Sequence, residues 1–151
     1  MLIVIAQENE IELVKEAGYL GTAPILITGP GIANVMKALK NIPKDEYIIN
    51  IGYAGANVLK VGEWADVSYS KFYHEIADFY EISIFLANKG LTCYTSTDFV
   101  TKTNIEKSCL FDMELAAICN MGFKDVRSMK KVSDNLNYKE YKKVEAKKWQ
   151  K

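Results

Sequence analysis

PILITGPGIANVMKALKNI, residues 24–42, changes its repeat part-way along. PILITG (24–29) is a continuous apolar run with β-branched side chains, the composition of a buried strand. GPG then interrupts the chain. In GIANVMKALKNI the apolar residues Ile32, Val35, Met36 and Leu39 recur at i, i+3, i+4 and i+7, which is one face of an amphipathic helix. A strand, a glycine turn and a helix in one stretch form the unit from which layered α/β proteins are built.

The flanking sequence repeats the pattern. MLIVIA (1–6) and YIINIGYAGAN (47–57) are further all-apolar runs, expected as strands buried on both faces. The second ends in small residues that let another group approach the backbone closely. Residues 10–19 read as a short helix with Ile11, Leu13 and Val14 turned inward, and WADVSYSKFY (64–73) alternates as a strand does. ISIFLA (82–87) and LTCYTS (91–96) flank the tight-turn signal NKG (88–90), which predicts a hairpin. Residues 112–120 are expected to be helical, DVRSMKKVS (125–133) a strand, and 138–149 a lysine-rich terminal helix. With no linker or repeat, the expectation is one α/β domain over residues 1–151, a mixed central β-sheet flanked by helices.

Composition narrows the function. Nineteen Lys and Arg balance nineteen Asp and Glu, so no overall field favours nucleic acid or an anionic membrane. Arg127 is the sole arginine, which leaves any phosphate site short of its usual fork-shaped partner. Three cysteines (Cys93, Cys109 and Cys119) in apolar surroundings, without ligand-like spacing, predict reduced thiols and a cytoplasmic setting. MLIVIA is short for a secretory core, and no run approaches the roughly 20 apolar residues of a membrane span. A single histidine, His74, argues against a histidine-rich metal site.

In layered α/β folds ligands gather where strands end. Those ends hold Glu8 and Glu10, Thr28 to Gly31, Gly52 to Gly55, Ser96 to Phe99, and Ser133 to Asn135. FDMELAAI (111–118) adds two carboxylates, Asp112 and Glu114, whose plain reading is helix-end electrostatics worth roughly 0.3–1 kcal/mol each.

VIAQENE, ITGPGIANV, INIGYAGA with LKVGEWADVS, TSTDFV, FDMELAAI and VSDN follow one another along nearly the whole chain. In this order they resemble the nucleoside phosphorylase and nucleosidase superfamily, most of all its 5′-methylthioadenosine/S-adenosylhomocysteine nucleosidase branch, in shortened form. The resemblance implies a site. Glu114 would accept hydrogen bonds from the ribose 2′ and 3′ hydroxyls, which an ionised carboxylate can do in pairs, and Met113 would pack on the sugar. Asp134 would protonate N7 of a departing purine, with Ser133 orienting it; its alternative is a turn aspartate before the last helix. Glu10 would activate water on the opposite face of the sugar, with Glu8 and Glu12 as competitors for the position. Phe99 would stack on the base and Asp98 would read its edge, the alternative for Phe99 being a place in the core. His74 with Glu75 is read as structural.

Phosphorolytic members hold phosphate with arginines, whereas Thr28 to Gly31 and Asn50 to Gly52 contain none. Hydrolysis of a purine nucleoside is therefore expected, needing neither metal nor organic cofactor. Phosphorolysis and nucleoside binding without chemistry are the alternatives. Either Arg127 or Lys130 corresponds to an arginine that the family carries ahead of its Ser-Asp pair. The resemblance also implies a homodimer.

Overall fold

The structure, a computed structural model, describes residues 1–73 and 83–147. His74 and Glu75 lie outside the described residues, as do Ile82 and the end of the predicted terminal helix.

Strand β1 (Leu2–Ile5) pairs in parallel with β2 (Ile25–Ile27) on one side and with β3 (Tyr47–Ala56) on the other. The sheet continues through β4 (Trp64–Phe72), β5 (Ile84–Phe85), β6 (Leu91–Thr95), β7 (Leu110–Asp112) and β8 (Asp125–Asp134), in the order β2-β1-β3-β7-β6-β4-β5. β8 pairs in parallel with β3 and antiparallel with β4. Because β3 also meets β7, β7 meets β6, and β6 meets β4, these five strands close on themselves. Helices α1 (Ile11–Glu16), α2 (Ile32–Leu39), α3 (Leu115–Cys119) and α4 (Tyr138–Lys147) flank the sheet.

The apolar strands are apolar because both their faces are covered. Ile3 and Ile5 of β1, with Ile49 and Ile51 of β3, pack under Leu13 and Val14 of α1. Val4 and Ile48 point the other way, into a larger cluster with Val35 and Leu39 of α2 and with Leu115 and Ile118 of α3. The mixed α/β sheet flanked by helices is the architecture expected from the alternating pattern.

Four local expectations change. The run at 24–29 is not fully buried: β2 is the sheet edge, and Ile27 is 44% exposed. LTCYTS and ISIFLA form no hairpin, since β5 and β6 both pair with β4, on opposite sides of it. The helix at 10–19 begins as a 3₁₀ turn, Glu8–Glu10, and α1 ends at Glu16. Most consequential is 112–120. Leu110–Asp112 is a strand, paired with β6 and with the far end of β3, and helix begins only at Leu115. Asp112 is therefore not a first-turn acid.

Candidate active site

β3 is the floor of the site, and its glycines set how close other groups come. A side-chain carbon at Gly52 would lie 2.6 Å from Glu10 Oε2, and one at Gly55 would lie 2.9 Å from Asp134 Oδ1. Both distances are shorter than ordinary packing allows, so any larger residue would push these carboxylates out of place.

Glu10 is buried, and the backbone holds both its oxygens. Oε1 accepts from Ala6 N–H (2.9 Å) and Gln7 N–H (3.0 Å), and Oε2 from Tyr53 N–H (2.8 Å). Burial pushes its pKa up, against the pull of Lys130 and the three amides. Of the three neighbouring glutamates, Glu8 is exposed and Glu12 lies outside the cleft; Glu10 alone lines it.

Asp134 stands at the end of β8, where the pairing with β3 slips: Ala54 faces Val132, but Gly55 faces Asp134. The extra residue is Ser133. Such bulges re-aim side chains beside functional sites. Ser133 Oγ donates to Asp134 Oδ2 (2.7 Å), and Leu136 N–H to Oδ1 (2.9 Å). Both bonds favour the anion, yet burial outweighs them and the pKa is raised.

Glu114 occupies the N-terminal boundary of α3 without capping its own helix. Its Oε2 reaches across the cleft to Gly31 N–H (2.8 Å), at the start of α2. The first amides of α3 are taken by others, Leu115 N–H by Asp112 Oδ2 (2.8 Å) and Ala116 N–H by Thr95 Oγ (2.9 Å). Burial, then the charge of Asp112, raise the Glu114 pKa to about 7.

Beneath these groups lies a charge pair that the sequence reading missed. Lys130 Nζ is 3.2 Å from Asp112 Oδ2, and both side chains are almost fully buried. Thr95 Oγ donates to Asp112 Oδ1. Lys130 also lies close to the Gly52 backbone beside Glu10, and its pKa is raised because Asp112, Glu114 and Glu10 surround it more strongly than burial opposes. Of the two residues left open, Arg127 is exposed on the other face of β8, and Lys130 is the one near the site. A signal was present: Val126, Ser128, Lys130 and Val132 share the inward face of an alternating strand.

All seven residues singled out from the sequence line one cleft: Glu10, Asp98, Phe99, Met113, Glu114, Ser133 and Asp134. Asp98 is exposed at the rim, and Met113 is half-buried. Phe99 is not in the core. It forms an aromatic wall with Tyr138 and Tyr141 of α4, its ring 5.3 Å from each. The cleft holds about 710 Å³ of empty space including its open mouth. No lysine or arginine is among its described lining residues. Among the described residues no group of three or more His, Cys, Asp or Glu could hold a metal ion, and no helix is long and apolar enough to cross a membrane.

No protein-family model matches the sequence, and no curated protein matches it either. By fold the chain is similar to solved nucleosidases. One is an aspartate-to-asparagine variant of the Helicobacter pylori 5′-methylthioadenosine/S-adenosylhomocysteine nucleosidase with 5′-methylthioadenosine in its active site. The TM-score is 0.73 at 13% identity, the match covering 96% of this chain and 89% of that one. Futalosine hydrolase of Helicobacter pylori gives 0.72 at 14% identity, covering 96% and 88%. The Neisseria meningitidis 5′-methylthioadenosine/S-adenosylhomocysteine nucleosidase, in complex with methylthio-immucillin-A, gives 0.70 at 18%, covering 96% and 90%. The chain has the fold these proteins share.

Proposed function

We propose that the chain belongs to the nucleoside phosphorylase and nucleosidase superfamily and hydrolyses the N-glycosidic bond of a purine nucleoside, 5′-modified substrates such as methylthioadenosine included. The observation that carries this reading is the convergence of Glu10, Glu114 and Asp134 on one cleft with no cationic side chain among its described lining residues. The fold likeness to nucleosidases supports it.

In this reading Asp134 is protonated when substrate binds, as burial favours. It gives its proton to N7 of the purine, which lets the base leave as a neutral group. Positive charge develops on the sugar as the bond to C1′ stretches, and the surrounding carboxylates stabilise it. Glu10 accepts the proton of the water that attacks C1′ from the opposite face. Glu114 accepts hydrogen bonds from the 2′ and 3′ hydroxyls, Met113 packs on the sugar, and the Phe99 ring covers the base with Asp98 at its edge. Ser133 orients the acid.

Water is favoured over phosphate as the nucleophile for a reason beyond the missing arginine. The strand-end amides that could cradle an anion are already occupied by the chain's own carboxylates: Gly31 N–H by Glu114, and Tyr53, Ala6 and Gln7 N–H by Glu10. We place the protein in the cytoplasm, where its three buried thiols stay reduced, and read it as one domain acting as a homodimer.

The test is release of free base from methylthioadenosine, adenosine and inosine, with and without phosphate. Release without phosphate is expected. Release that requires phosphate would make the chain a phosphorylase, and tight nucleoside binding with no release would make it a binding protein.

A further inference from the structure

Resting on that reading, we propose that Asp112 and Thr95 are positioning residues that set the ribose-binding carboxylate Glu114. Thr95 ends a strand that the sequence predicts, Asp112 lies in one that it does not, and the cluster is built around the two.

The geometry begins with the shortness of α3, five residues from Leu115 to Cys119. A helix of that length does not hold itself together in water, so its first turn depends on outside acceptors. Thr95 and Asp112 supply them: Thr95 Oγ takes Ala116 N–H, and Asp112 Oδ2 takes Leu115 N–H. The two acceptors are themselves locked, because Thr95 Oγ donates to Asp112 Oδ1 from the neighbouring strand, in register with it. Glu114 is thereby relieved of capping, and its carboxylate is free to cross to Gly31 and, with substrate present, to a diol.

The same aspartate holds Lys130 at 3.2 Å. Lys130 Nζ and Glu10 Oε2 both flank Gly52, so the cation paired with Asp112 of β7 also lies beside the carboxylate from the turn after β1. The groups facing Glu114 are Asp112, Lys130, Glu10 and the Gly31 amide. Asp112 and Glu10 disfavour its charge while the other two favour it. Asp112 therefore acts on Glu114 twice, through the backbone that carries it and through its charge.

Two variants separate these actions. Thr95→Val keeps the shape and the Asp112 charge but removes the hydroxyl; Asp112→Asn keeps the shape and removes the charge. The readouts are kcat and KM for adenosine and 2′-deoxyadenosine, and the pH dependence of adenosine affinity. A well-placed Glu114 makes the wild type prefer the ribonucleoside by about tenfold or more, since a half-buried charged acceptor loses one partner with the deoxy sugar. Thr95→Val is expected to raise KM for adenosine and to shrink that preference at least threefold, with Thr95→Ser restoring it. Asp112→Asn is expected to move the acid limb of adenosine binding to lower pH, because a like charge beside Glu114 is gone, while Thr95→Val leaves that limb in place.

If both variants lose activity equally on the two sugars and the acid limb stays where it was, Asp112 and Thr95 serve the fold alone and the proposal is overturned, while the nucleosidase reading stands. If the wild type neither binds nor cleaves either nucleoside, the reading itself fails and the proposal goes with it.

Discussion

Replacing Lys130 with methionine tests whether the cluster beneath the cleft is an ion pair in the energetic sense. Methionine has similar length and no charge, so the substitution leaves little void. What it leaves is Asp112, buried, with hydrogen bonds from Thr95 and Leu115 but no counter-charge. Glu10 and Glu114 also lose the cation that faces them. Removing one partner of a buried pair costs about 3–5 kcal/mol, because the remaining charge is stranded rather than because the pair itself was strongly stabilising. At roughly 2–4 °C per kcal/mol for a chain of this size, the melting temperature should fall by about 6–20 °C. Equilibrium unfolding in urea at pH 7.5 and pH 5 provides the assay. Lys130 lowers the pKa values of Glu10 and Glu114, so without it both rise further. A carboxylate whose folded pKa exceeds its unfolded value takes up protons on folding, and its contribution to stability falls as pH rises. The deficit of the variant should therefore be larger at pH 7.5 than at pH 5. Adding Asp112→Asn should recover about 2 kcal/mol, since the stranded charge is then gone. A loss below about 1 kcal/mol for Lys130→Met, or strict additivity with Asp112→Asn, would refute the pairing.

Three further outcomes are expected. Asp134→Asn should cut base release by about 10²–10⁴-fold while nucleoside affinity changes less than threefold, because the proton donor is lost and the shape is kept; near-normal turnover would remove Asp134 from its role. Glu114→Gln should weaken nucleoside binding and stabilise the protein at pH 7.5 but not at pH 5. The folded pKa of Glu114 stands at about 7, so its ionisation in the wild type costs stability as pH rises from the ordinary carboxylate range to that value; urea titrations of both proteins at the two pH values check the sign. Gly52→Ala would put a methyl carbon 2.6 Å from Glu10 Oε2, and three backbone amides keep that carboxylate from retreating. A destabilisation of about 1–3 kcal/mol and at least a tenfold fall in base release, with nucleoside affinity retained, are expected.

How much of this was legible in the sequence depends on the range of the interactions involved. Periodicity is local, and it found β1, β3, β8 and α2 because their side chains repeat in step with the elements. It failed at Leu110–Asp112, where three residues are too few to show a period and the helix that follows supplies a stronger one. The pairing that makes those residues a strand comes from β6 and from the end of β3, both distant in the chain. The absent hairpin has the same cause, since β4 takes the partner that each arm would have offered the other. The seven candidates that line the cleft were singled out one by one through a resemblance carried by motif order. Alternation alone could have chosen Lys130 over Arg127, had the inward face of β8 been read to its end.

The helix-end signal, which holds for Asp112 and fails for Glu114, joins local sequence to the chemistry of the site. Two acids at the head of a helix are ordinarily alternatives for the same exposed amides. Here they divide the work: Asp112 takes Leu115 N–H, while Glu114 crosses to an amide on another helix. The division is possible because Asp112 is in a strand, fixed by pairing before the helix begins, and because Thr95 covers the next amide from an adjacent strand. A carboxylate that capped an exposed helix end would be solvated, with no reason for a raised pKa. One drawn across a cleft to a single N–H is desolvated, keeps lone pairs to spare, and can be completed by a ligand with paired hydroxyl donors. Glu10, with three amides, and Asp134, with Ser133 and Leu136, are held in the same manner. In each case hydrogen bonds fix the carboxylate while burial lifts its pKa, the pairing of position and perturbed acidity that acid–base chemistry requires.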